Sequence, residues 1–130
     1  MRIALWPDCG EEDCLSEALE ITGSDQAAAF LALTETSKPV AFIELSLRSY
    51  AESAALSPVP FIEGWFVESA HRRQGAGRAL VAAVEQWAVA QGFREIASDA
   101  QLENTVSIAA HLHLGYREVE RIVCFLKKLQ

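Results

Sequence analysis

"PFIEGWFVESAHRRQGAGRALVAAVEQWAVAQG", residues 60–92, decides how the chain folds. Its first part, FIEGWFV at 61–67, is rich in aromatic and β-branched residues, which suits a strand. Gly64 interrupts it, and a glycine inside a strand marks a bulge or a close backbone approach. From Gly77 to Gln91 the period changes. Leu80, Ala83, Val84 and Trp87 recur at i, i+3, i+4 and i+7, so the spacing predicts a helix ended by Gly92. Between the two lies Arg72-Arg73-Gln74-Gly75-Ala76-Gly77. A strand that turns into a helix leaves the first helical amides without intrahelical partners, at the positive end of the helix dipole. An anion is the natural ligand there. Gly75 and Gly77 admit close backbone approach, and Arg72, Arg73 and Arg78 add guanidinium groups suited to phosphate.

Outward from this unit, residues 94–99 read as a short strand and 104–115 as a helix, capped by Asn104 and closed by Gly115. YREVERIVCFLKKL, 116–129, alternates well enough for a long final strand. Upstream, 11–21 reads as a helix with acidic residues in its first turn. AAAFLALTE (27–35) and PVAFIELSL (39–47) read as a hairpin, followed by a proline-bearing loop over 48–60. One domain spanning 1–130 is expected, an α/β sheet of mixed direction with helices on its faces.

At 51% hydrophobic and 22% charged, the composition supports a packed core. No apolar run reaches the roughly 20 residues a bilayer span needs. The first residues carry no apolar signal segment. Cys9, Cys14 and Cys124 form neither a CxxC pair nor an even set, so neither disulfide framework nor metal site is expected, and a reducing cytoplasm fits. The net charge of −7 is uneven: residues 1–70 hold twelve acidic and three basic side chains, residues 71–130 six and eight. The first part attracts cations, and no basic stripe suits nucleic acid.

The turn is neither a Walker A loop nor GxGxxG. It matches an R/Q-x-x-G-x-G/A signature, and here the chain resembles the GNAT superfamily of N-acetyltransferases. The resemblance implies that backbone amides of residues 73–78 hold the pyrophosphate of acetyl-CoA. It also implies that the preceding strand splays from the next one, with the pantetheine arm and acetyl group in the gap. LWP (5–7), FIEGWFV (61–67), REIASDAQLENTVS (94–107), HLHLGY (111–116) and EVERIVCFLKK (118–128) are similar to one branch, the aminoglycoside 6'-N-acetyltransferases. That branch implies a GNAT fold with a mostly antiparallel mixed sheet. Against the family pattern, the first edge strand is expected to be missing or shortened.

Acetyl transfer needs a deprotonated amine, a polarised thioester carbonyl and a proton for the departing thiolate. Glu63, on the strand before the turn, is the leading base, and its apolar neighbours suggest a raised proton affinity. Asp99, ending the next strand, is placed to bind or deprotonate an ammonium. His111 is a candidate acid for the thiolate, or a helix histidine with a packing role. The resemblance implies donor contacts from Trp65, Phe66 and Val67 as well as the turn, with an oxyanion contact from a backbone N–H near Val67, and a pantetheine contact from Asn104. Trp6, Tyr50, Glu118 and Glu120 complete the expected acceptor site with Glu63 and Asp99. No cysteine has the basic partner that activates a thiolate, so direct transfer in a ternary complex is expected. Two other readings stand beside this one: a GNAT enzyme for a polyamine or protein amine, and a non-catalytic acyl-CoA-binding module. The apolar final strand suggests a homodimer joined through it.

Overall fold

The computed structural model describes Met1 and residues 25–130. The helix expected over 11–21, and Trp6, Cys9 and Cys14, lie outside the described residues. The chain divides into two units, Met1–Asp99 and Ala100–Gln130.

The first unit is built on a four-stranded sheet in the order β1-β2-β3-β4. Strand β1 (Ala27–Leu33) pairs antiparallel with β2 (Pro39–Arg48), and β2 pairs antiparallel with β3 (Val59–Val67). The turn between β1 and β2 is closed by Ser37, at φ 63°, whose N–H donates to the Thr34 carbonyl. Strand β4 is only Ala97–Ser98 and runs parallel to β3. The sheet is therefore mixed and mostly antiparallel, as the sequence suggested. The strand expected over 94–99 keeps just two paired residues, because its ladder to β3 ends at Ile62↔Ser98.

Helix α1 (Ala76–Ala90) packs against β1, β2 and β3. It buries Leu80, Val81, Val84 and Ala88, an i, i+4, i+8 row with one neighbour. Leu80 and Val84 were expected there. Trp87 is instead partly exposed and stacks on Phe93, ring centroids 6.4 Å apart. The fully buried core side chains include Ile43, Leu45, Val59, Phe61 and Val84. Each contributes on the order of 1.5–3 kcal/mol by leaving water. The helix closes as a Schellman motif: Phe93 N–H donates to the Ala88 carbonyl and Gly92 N–H to Val89.

In the second unit, α2 (Thr105–His113) starts at Asn104, whose Oδ1 accepts the Ser107 N–H at 3.1 Å. It ends by the same device. Gly115, at φ +92°, donates to Leu112, and Tyr116 N–H donates to the His111 carbonyl at 3.0 Å. Residues 116–129, expected as a strand, form no ladder among the described residues. Val123, Phe125, Leu126 and Leu129 are 73%, 91%, 91% and 81% exposed. A strand exists only through hydrogen bonds to a neighbour, and alternation alone does not supply one.

Candidate active site

The site begins at a bulge. On β2, Glu44 pairs with Gly64 and Leu45 with Ile62, so β3 carries one extra residue between them. That residue is Glu63. A bulge leaves its extra residue outside the ladder and re-aims its side chain. The glycine at 64 signalled the bulge from sequence.

The same point is where the sheet forks. The parallel pairing of β3 with β4 stops at Ile62↔Ser98. The next residues on the two strands are Glu63 and Asp99. Beyond them β3 runs on to Val67 with no partner from β4. The family resemblance implied a splay of these two strands; here the ladder is followed by Glu63 within β3 and by Asp99 just past the end of β4.

Glu63 is half-buried, and both oxygens of its carboxylate accept hydrogen bonds from β2. Arg48 Nε donates to Oε1 at 2.7 Å and Nη2 to Oε2 at 2.6 Å. Ser46 Oγ donates to Oε1 at 2.6 Å. The guanidinium also lies over the Phe61 ring, 3.6 Å from its centroid. Burial pushes the Glu63 carboxyl up, but the hydrogen bonds from Arg48 and Ser46 and the Arg48 charge outweigh it. The group is held below the ordinary carboxylate range. The raised proton affinity expected from apolar neighbours is thus corrected: sequence reasoning missed Arg48 and Ser46. Their signal was present, since 44, 46 and 48 are polar at period two in an otherwise apolar strand. The hydrogen bond to Glu63 likewise raises the Arg48 guanidinium, and the charges of Asp99 and Glu52 add to that.

The loop over 49–58 is tied down on both sides. Ala51 is buried with Val59 and Phe61. Both Glu95 carboxylate oxygens accept the Ala55 N–H at 3.1 Å. Tyr50 stands on this loop, 68% exposed, and Asp99 is exposed as well.

The Gly-rich turn follows β3 through a short 3-10 turn, Ser69–His71. Arg72 Nε donates to the Val67 carbonyl at 2.9 Å, so this arginine braces the turn against the strand end. Arg73 and Gly75 both have positive φ, 63° and 89°. Gly75 caps α1 without any side-chain hydrogen bond, and the first helical bond is Ala79 N–H to Gly75 carbonyl. The amides of 76–78 therefore stand before the ladder, and such a concave run of N–H groups binds anions. Gly77 has a different task. A Cβ there would lie 3.3 Å from Trp65 Cζ2 and 3.5 Å from Val67 Cγ2. Only a hydrogen lets the helix start sit this close to β3. Arg73, Gln74 and Arg78 are exposed around the turn, and Ala76 is its first helical residue. On the strand beside the turn, Trp65 and Val67 stand against the helix start at Gly77, and Phe66 is partly buried.

The second unit carries Asn104, His111, Glu118 and Glu120. Asn104 is a helix cap. His111 Nδ1 lies 2.7 Å from the Ser107 carbonyl, and its ring meets Tyr116 edge-on at 5.6 Å. With its Nδ1 proton given to that carbonyl, a neutral His111 presents Nε2 as an acceptor, and only the imidazolium donates from Nε2. Glu118 forms an ion pair with Arg121, whose hydrogen bond holds it below the ordinary carboxylate range. Glu120 and Cys124 are exposed.

A mixed sheet whose parallel ladder ends beside two carboxylates, followed by a glycine turn into a helix, is the fold of the acyl-CoA-dependent N-acetyltransferases. The model of the acetyltransferase (GNAT) family matches residues 2–116. The chain belongs to that family of acetyltransferases. Within it, the chain is 44% identical to the aminoglycoside N(6')-acetyltransferase type 1 of Klebsiella aerogenes, covering 99% of this chain and 87% of the relative. It is 40% identical to the enzyme of the same name from Stenotrophomonas maltophilia, over 100% and 84%. Among solved structures, AAC(6')-Iy in complex with the bisubstrate analogue CoA-S-monomethyl-acetylneamine superposes with a TM-score of 0.93 at 36% identity, over 98% of this chain and 87% of that one. AAC(6')-Ih from Acinetobacter baumannii gives 0.90 at 40% identity, over 99% and 88%. No helix among the described residues is long and apolar enough to cross a membrane.

Proposed function

We propose that the two units act as one domain that transfers acetyl from acetyl-CoA to the 6'-amine of aminoglycosides, by direct attack in a ternary complex. The observation that carries this reading is the end of the β3–β4 ladder, where Glu63, held below the ordinary carboxylate range, and Asp99 directly follow the paired residues Ile62 and Ser98. Two carboxylates at one site select a cationic amine. The relatives' names point to the same acceptor. When bound, acetyl-CoA supplies a thioester carbonyl for the amine to attack and a thiolate to depart.

The turn over 73–78 holds the donor's pyrophosphate with backbone amides, braced by Arg72, and Asn104 contacts its pantetheine. A backbone N–H near Val67 polarises the carbonyl. Glu63 and Asp99 bind the acceptor ammonium. Held below the ordinary carboxylate range, Glu63 serves first as an anchor, and the amine's proton leaves through it to water. His111, as imidazolium, returns a proton to the thiolate. Tyr50 and Trp6 pack on sugar rings, and Glu118 and Glu120 add acidic contacts. The protein works in the cytoplasm as a homodimer, in which the exposed apolar segment after Tyr116 gains a partner's sheet edge.

Steady-state thiol release tests the reading, with aminoglycosides carrying a 6'-amine set against analogues carrying a 6'-hydroxyl and against polyamines. Turnover is expected for the 6'-amines alone, with losses on the order of 10²-fold in kcat/KM for Glu63→Ala and Asp99→Ala. Full activity of both variants, or equal turnover of polyamines, refutes it. Accumulation of a stable acetyl-enzyme refutes direct transfer.

A further inference from the structure

Arg48 is a cation inside a site meant for cations, and nothing in the acetyl-transfer chemistry calls for it. It does not reach Glu63 by accident of surface proximity. Its contact is bidentate, both guanidinium–carboxylate bonds are short, and the planar group is stacked on Phe61. Such a fork-on-fork pair fixes the orientation of the carboxylate as well as its charge. Ser46 takes a further lone pair of Oε1. Among the described residues, Oε1 accepts two hydrogen bonds and Oε2 one, so an open acceptor position remains on Oε2.

Resting on the reading of Glu63 as the ammonium anchor, we propose that Arg48 is the positioning residue of the acceptor site. It locks the Glu63 carboxylate in one orientation at the fork, and it leaves a single lone pair on Oε2 for the incoming amine. It is also the common counterion of the carboxylates around it. Glu63 faces it from β3, Asp99 from the end of β4 and Glu52 from the loop after β2. Without Arg48, burial would dominate at Glu63, and its proton affinity would rise. The anion would then be present only at higher pH, and Ser46 alone would hold its orientation, through Oε1.

The experiment is the pH profile of kcat/KM for a 6'-amino aminoglycoside, measured for the parent, Arg48→Met, Arg48→Lys and Glu63→Gln, and for the Arg48→Met/Glu63→Gln pair. Arg48→Met keeps much of the apolar stem and removes the charge. The acid limb of its profile is expected to move upward by at least about half a pH unit, which is a loss of at least about 3-fold below the limb that closes towards alkaline pH. Arg48→Lys returns the limb towards its parent position and keeps the test alive if Arg48→Met does not fold. In the Glu63→Gln background, Arg48→Met has no further effect. An unmoved acid limb, a pH-independent loss, or a lower KM at every pH overturns the proposal; the last would make Arg48 a competitor of the substrate. If Glu63→Gln keeps parent activity, the reading of Glu63 has failed. If Glu63→Gln is impaired while the Arg48→Met limb stays put, the role of Arg48 alone has failed.

Discussion

Gly75 and Gly77 are two residues apart, yet alanine should fail at them for opposite reasons. At Gly75 a Cβ meets nothing within 4 Å, but the backbone sits at φ +89°. The cost there is conformational. An L-residue in the left-handed region loses on the order of 1–2 kcal/mol, and the stiffer unfolded chain returns about 0.4–1 kcal/mol. A net loss of about 1 kcal/mol remains, which lowers the Tm of a domain this size by roughly 3–5 °C. At Gly77 the backbone is helical, and alanine gains up to about 1 kcal/mol of helix propensity. Against that stands a contact of 3.3 Å with Trp65 Cζ2, which forces the indole or the helix start to shift by a few tenths of an ångström. Stability should therefore change little, while the turn amides move relative to β3. Thermal melts paired with calorimetric titration of coenzyme A separate the two effects. Gly75→Ala is expected to lower Tm, with Gly75→Asn recovering part of it, since asparagine tolerates this conformation better. Gly77→Ala is expected to hold Tm and weaken coenzyme A binding by about 5–10-fold, roughly 1–1.4 kcal/mol. A neutral Gly75→Ala, or a Gly77→Ala that binds coenzyme A like the parent, would refute the division of labour.

Three further outcomes follow from the same geometry. Removing the α2 cap with Asn104→Ala should cost about 1 kcal/mol in denaturant unfolding; an unchanged midpoint would mean that the Ser107 N–H finds another acceptor. Glu63 has a folded proton affinity below its unfolded one, so its stabilisation is present above the ordinary carboxylate range and is lost as pH falls through the folded value. Glu63→Gln should then be less stable than the parent at neutral pH by about 0.5–1 kcal/mol, the pair being partly exposed, and the gap should close as pH falls below the ordinary carboxylate range; a gap that persists in acid would assign it to packing. Light scattering at micromolar concentration should give a dimer, and Phe125→Asp, at a side chain 91% exposed in the single chain, should shift it towards monomer. A parent monomer would remove the partner from the last segment.

Much of this protein was legible because its signals are local. The period change from 61–67 to 77–91, the glycines of the turn and the Asn104 and Gly115 helix ends depend on residues within a few positions of each other. Each appeared where the sequence placed it, within one or two residues. Gly64 even marked the bulge that singles out Glu63. The misreadings lie where distant residues meet. The proton affinity of Glu63 was expected to rise because its chain neighbours are apolar. Its true neighbours, Ser46 and Arg48, come from another strand, 17 and 15 positions away. Likewise Asp99 follows directly on a parallel ladder that ends at Ile62↔Ser98, one step past the point where Glu63 leaves it. The segment after Tyr116 has a strand's alternation but no ladder among the described residues, because pairing belongs to two segments and its own sequence holds one. By itself, then, the sequence determined the donor turn and the helices beside it, whose hydrogen bonds close within a turn of backbone. Only the tertiary structure decided the partners of Glu63 and the direction of its shift, because electrostatic environment and strand register are set by residues that folding, and not chain order, brings together.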